Sequence, residues 1–241
     1  MTTTTDPTPK PATEILLRPR LGAALLILGT VQFSILHTIV QSAWADPTYS
    51  WWNNYISDLG AIHCGPILGN DVCSPLHASM NTAFISQGVL LIAGVLLTSN
   101  AWFPKSNTGV WRTMVAVTGL SWIVIGLIPE DVNLTGHSIG ALPIFILGNI
   151  ALIVAGVSAS TRTRPLVRRT ALILGVLGLL GFALTAIAIA NPEGIIGIGV
   201  AERMTVFPLQ IWVLVTGLNI LKRPQAPQPA GRTREVQFFT V

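Results

Sequence analysis

Six mostly apolar runs alternate with polar connections along this 241-residue chain: Leu21 to Val40, Ala78 to Leu97, Thr113 to Ile128, Ile139 to Val157, Thr170 to Ala190 and Met204 to Leu221. Helical residues rise about 1.5 Å each, so runs of this length suit a hydrocarbon core of about 30 Å. The pattern predicts an all-α membrane protein: a six-transmembrane-helix bundle over residues 20–221, with a long loop over 42–77 after the first span. Residues 1–19 are rich in Thr and Pro and read as a disordered tail; residues 222–241 form a second tail.

Composition supports this reading. Hydrophobic residues make up 51% of the chain and charged residues 10%, against about 25% charged in an ordinary soluble domain. The net charge of +4 does not point to nucleic acid, because the bases flank apolar runs and are not interleaved with aromatics. Thirteen of the fourteen Lys and Arg residues fall on one side of the expected spans, and only Arg203 falls on the other. By the positive-inside rule both termini are expected in the cytoplasm, with the spans in the plasma membrane and the long loop outside it. Seven of the ten acids gather on the loop side: Asp46, Asp58, Asp71, Glu130, Asp131, Glu193 and Glu202. An alternative treats the first run as a cleaved signal peptide ending at Ala43-Trp44-Ala45, but the run exceeds the 7 to 15 residues of a usual signal core.

Polar residues inside the runs follow helical spacing. Thr30, Ser34, His37 and Gln41 share one stripe of the first span, and His77, Asn81 and Gly88 one of the second. They are expected either to join helices by hydrogen bonds or to floor a polar cavity. Gly175, Gly178 and Gly181 on the fifth span, and Gly119 and Gly126 on the third, predict close helix approach. Pro129-Glu130 followed by Pro143, and Pro192-Glu193 followed by Pro208, form a weak internal echo of a helical hairpin.

Candidate chemistry lies in the loops. Cys64 and Cys73 are the only cysteines, and a disulfide between them would stabilise the loop by about 2 to 3 kcal/mol. A zinc site using them with His63 and His77 lacks paired C-x-x-C spacing, so no metal and no cofactor is expected. Arg203, the lone base among seven acids, is expected to pair with Asp58 or to recognise an anionic lipid head group. His137 is a candidate general base or proton carrier, oriented by Asp58 or Glu202, with Ser57 a weak candidate nucleophile.

Asn54-x-x-Ser57-Asp58-Leu59-Gly60, Asn81, Pro129-Glu130-Asp131 followed by His137-x-x-Gly140-Ala141, and Gly199-x-x-Glu202-Arg203 together resemble the bacterial multi-pass family catalogued as domain of unknown function 998. The resemblance spans roughly residues 20–221 and implies a six-span membrane protein without an established activity. It marks Asp58, His137, Glu202 and Arg203 as positions of interest; the cysteine pair and the basic loop stand outside its pattern. The expected site is a polar mouth of Ser57, Asp58, His77, Asn81, His137, Glu202 and Arg203. Two classes of function fit it: a lipid-binding, transport-related or accessory membrane subunit, and a hydrolase or transferase acting on a lipid or lipid-linked substrate at the outer leaflet.

Overall fold

A computed structural model describes residues 12–98, 105–158, 164–192 and 194–222. Residues 1–11 and 223–241 of the expected tails lie outside the described residues, as do Arg162 and Glu193. The helices are α1 (Ala12–Ser42), α2 (His77–Thr98), α3 (Lys105–Leu127), α4 (Leu134–Phe145), α5 (Leu147–Ser158), α6 (Pro165–Ala190) and α7 (Ile198–Leu221). With α4 and α5 counted as one crossing, six segments are long and apolar enough to span a membrane. Between α1 and α2 the chain makes a single 3-10 turn over Ser57–Gly60 and a small hairpin of β1 (Gly65–Ile67) and β2 (Asn70–Val72).

Three boundaries depart from the hydropathy reading. Residues 12–19 are helical and not part of a tail, since the Pro-rich stretch stops at Pro11 and Ala, Glu and Leu that follow are good helix formers. The fourth crossing is divided at Ile146, three residues past Pro143, although Ile146 N still donates to Leu142 O at 2.9 Å and Ile146 O accepts from Ile150 N at 2.9 Å, so its two parts stay joined. One side chain ties this point to the last helix: Asn149 Nδ2 donates to Phe145 O at 2.8 Å and to Thr205 O of α7 at 3.0 Å. The last helix begins at Ile198, so Glu202 and Arg203 sit buried in its second turn and not at its tip. Pro208 lies inside α7 without such a break, so the two halves of the sequence echo differ in shape.

The crossings close into a ring: α1 packs on α2, α2 on α3, α3 on α4 and α5, α5 on α6, α6 on α7, and α7 back on α1. Phe33, Phe84, Trp111 and Trp122 fill its interior. Small residues set the crossing points, as their spacing predicted. Gly175 and Gly178 face Asn149, Gly181 faces Met204 and Thr205, and Gly88 faces Gly119 and Ile123. A side chain at Gly88 would meet the Gly119 carbonyl and the Ile123 backbone, neither of which can rotate away. Gly88→Leu should therefore force α2 from α3 at a cost of about 1–3 kcal/mol, read as a drop of several degrees in melting temperature in detergent.

The polar stripes act as ties between helices. Gln210 Oε1 on α7 accepts from Thr30 Oγ1 of α1 at 3.2 Å and from Gln87 Nε2 of α2 at 3.0 Å. Ser34 returns its hydroxyl to its own helix, and Gln41 Oε1 accepts from Trp51 Nε1 at 2.6 Å. His37 is buried against Trp51 and Phe207.

Candidate functional site

The first loop turns into the loop-bearing end of the ring, burying Asn54 and Ile56 through Ala61. Asp58 is fully buried and closes the 3-10 turn: its Oδ2 accepts from Asn54 Nδ2 at 2.8 Å and from Tyr55 N at 3.0 Å. From α2, Asn81 Nδ2 donates to Gly60 O at 2.9 Å, and the close approach of Asn81 Oδ1 leaves no room for a side chain at Gly60. Ser74 Oγ donates to Leu59 O at 2.7 Å, and His77 Nδ1 lies 3.0 Å from Ser74 O. His77 and Asn81, expected in the site, are thus loop fastenings, and neither lines the cavity described below.

The last helix holds the same turn from the opposite side. Glu202 Oε2 accepts from Ile56 N at 2.5 Å. Arg203 Nη1 donates to Gly199 O at 2.7 Å, to Asn54 O at 3.0 Å and more weakly to Trp51 O at 3.4 Å, while Nη2 donates to the Tyr49 hydroxyl. Its guanidinium carbon lies 4.6 Å from the centre of the Trp51 ring and 5.6 Å from that of Tyr49. The expected ion pair with Asp58 does not form: Nη1 and Nη2 are turned to carbonyls of the loop and of α7 and to a phenol, and Nε is buried without a hydrogen-bond partner. Burial pushes the Tyr49 and Tyr55 hydroxyls upward, so both remain neutral.

Asp58 instead neighbours Glu130, which follows α3 and is itself buried. Asp58 Oδ1 and Glu130 Oε1 are both buried and take no hydrogen bond from any N–H or hydroxyl among the described residues, and two neighbouring carboxylates can satisfy each other only by sharing a proton. Burial, followed by the neighbouring Asp58, pushes Glu130 well above the usual carboxylate range; burial also raises Asp58 against the opposing effect of Glu130 and Asn54. Glu130 is the functional candidate that sequence reasoning left outside the site. Its Pro129-Glu130 setting looks like a helix end, although an acid within a few residues of an apolar run was a signal.

His137 is oriented by neither Asp58 nor Glu202. Its Nδ1 lies 2.7 Å from Ile128 O, and a carbonyl only accepts, so Nδ1 carries the hydrogen. Asn133 caps α4 by accepting from Gly136 N at 2.8 Å and so fixes the turn that carries the histidine. The ring's Nε2 has no hydrogen-bond partner among the described residues, and His137 lines the cavity.

That cavity measures about 210 Å³ and lies between the loop, α3, α4, α6 and α7. Its polar side is made by Ser57, Glu130, His137 and Glu202, and its apolar walls include Phe84, Trp122, Phe145, Phe182 and Val206. Asp58 stands behind Glu130, and Arg203 is not among the lining residues. Of the expected site, the structure therefore gathers Ser57, His137 and Glu202 directly and Asp58 through Glu130.

The hairpin borders the mouth. Cys64 and Cys73 are joined at its base, which overturns the alternative of zinc thiolates. Leu68, at its tip with φ 48°, reaches the cavity. Asp131 accepts from Ile62 N at 3.0 Å and His63 N at 2.9 Å, and lies 2.7 Å from His63 Nδ1. Burial alone would raise Asp131, but these bonds outweigh it and hold the carboxyl below its usual range. A more open, polar hollow of about 380 Å³ between hairpin and Asp131 is also lined by Glu130. Glu130 thus borders both spaces.

No curated protein and no solved structure matches the chain. A family model described as protein of unknown function (DUF998) matches residues 27–219, which takes in the four middle crossings, most of the first and last, the buried turn and every residue of the cavity. By that match the chain belongs to the DUF998 family of multi-pass membrane proteins.

Proposed function

We propose that this protein binds a membrane amphiphile in the cavity, as a lipid-binding or transport-related subunit of the plasma membrane with cytoplasmic termini and the cavity opening on the outer side. The observation that carries this reading is one cavity in which aromatic and aliphatic walls meet Ser57, Glu130, His137 and Glu202. An apolar pocket with a few convergent polar groups is the usual form of a small-molecule site. Its volume, about 210 Å³, is below the roughly 300–1,000 Å³ of sites for drug-sized ligands, so it suits a head group and the first part of a chain. The distribution of Lys and Arg supports the orientation.

A hydrolase or transferase is the second reading, favoured by Ser57 and a histidine with an open Nε2 in the same cavity. No hydrogen bond joins the Ser57 hydroxyl to His137, whose Nδ1 is turned to Ile128 O, so no serine–histidine pair is assembled, and binding is the better-supported function.

Ala141 is buried and lines the cavity, so Ala141→Leu should fill part of it. Native mass spectrometry of protein extracted gently from membranes should show a bound amphiphile on the wild type and at least a tenfold lower occupancy on Ala141→Leu. A wild-type protein that carries none, and gains none from added membrane lipid, would sink the proposal.

A further inference from the structure

We infer that the ligand of this cavity is a lipophilic ammonium, and that its binding displaces the proton shared by Asp58 and Glu130. The inference rests on the binding reading above and names its ligand class. Three independent features of the cavity select a cation. Glu130 and Glu202 line it, while among the described residues no Lys or Arg does. Tyr55, Phe84, Trp122, Phe145 and Phe182 line the same space, and aromatic faces attract ammonium groups, most strongly where water is excluded. His137, only 6% exposed, lines the cavity with Nε2 unpartnered, an acceptor for an N–H donor. An anionic head group would meet carboxylates and a lone pair in this cavity, and Arg203 is occupied elsewhere.

The shared proton supplies the coupling. The charged and titratable groups around Glu130 are Asp58 and Tyr55 from the first loop, Glu202 from α7, His137 from α4, neighbouring Asp131 and, across the polar hollow, His63, while Arg203 of α7 acts on Asp58. Without a ligand the buried pair keeps one proton because two adjacent carboxylates repel. An ammonium entering beside Glu130 replaces that proton as the neutralising charge. The Glu130 O–H bond breaks, its electron pair stays on the carboxylate, and the proton passes to water in the polar hollow that Glu130 also borders. One positive charge enters as one leaves.

The test is calorimetric titration of the purified protein with decylammonium below its micellar concentration, in buffers of different ionisation enthalpy, with decanol and decyl sulfate as chain-matched controls. The expected result is preferential binding of decylammonium and release of about one proton per molecule bound. Affinity should rise by up to about tenfold per pH unit while the pair is protonated. Glu130→Gln, which keeps the shape of the protonated acid, should bind decylammonium more weakly with no proton release. Decanol or decyl sulfate binding as well as decylammonium would overturn the ammonium inference and leave the amphiphile reading intact. Failure of all three decyl compounds to bind would count against both. Decylammonium binding without proton release by the wild type would overturn the exchange, whether or not Glu130→Gln folds.

Discussion

Arg203→Gln should lower the melting temperature of the detergent-purified protein by roughly 10 °C, and Arg203→Lys should recover little of the loss. The guanidinium bonds to Asn54 O, Trp51 O and the Tyr49 hydroxyl of the loop and to Gly199 O of its own helix, and it lies over two rings, so one side chain pins three points of the long loop. An ammonium cannot serve the same fork from one position. Hydrogen bonds from a charged donor contribute about 1.5–3 kcal/mol each, and breaking a buried charged cluster costs about 3–5 kcal/mol in all. At about 2–4 °C per kcal/mol for a chain of this size, that gives the stated fall. Limited proteolysis should then cut within residues 43–76. A variant that melts within 2 °C of wild type would remove Arg203 from its anchoring role.

The second large effect is on pH dependence, and its direction is unusual for carboxylates. Asp58 and Glu130 are both raised in the folded protein, chiefly by burial. A raised acid binds its proton more tightly folded than unfolded. Its contribution is therefore complete below the ordinary carboxylate value near 4 and is lost as pH rises through the folded value. Melting temperature should fall as the pH is raised through the pair's titration, and Glu130→Gln, which needs no proton, should flatten that fall. Asp131 runs the other way: held low by the His63 and Ile62 amides, it stabilises the hairpin contact above the ordinary carboxylate value and loses that effect as pH drops. Melting curves of wild type, Glu130→Gln and Asp131→Asn across pH separate the two contributions. A Glu130→Gln profile parallel to wild type on the alkaline side would mean the pair shares no proton.

The crossings were legible because a bilayer demands long apolar runs, and the glycine contacts because only small residues allow such approach. His137 and Glu202 were legible as polar groups at the ends of those runs, and Ser57 as part of the polar stretch in the long loop. Residue type does not reveal its partner. Arg203 faced seven acids in sequence yet settled on carbonyls, because folding the loop placed backbone oxygens where the fork could reach them. His77 and Asn81 looked like site residues because a capping or fastening amide and a binding amide have the same signature. Glu130 needed the opposite correction, since its meeting with Asp58 joins loops 72 residues apart in the sequence and no local pattern encodes it. The hairpin was missed because three-residue strands are too short to show alternation.

The ties through Gln210, Glu202 and Arg203 bear on biogenesis. A ribosome delivers Thr30, Gln87 and the Asn54 loop into the membrane well before α7, which supplies their partners, has been made. Until the final helix arrives, the nascent protein carries orphaned amides that surveillance proteases can recognise, and a chain shortened from its C-terminus before residue 198 is expected to be degraded instead of accumulating as a five-span intermediate.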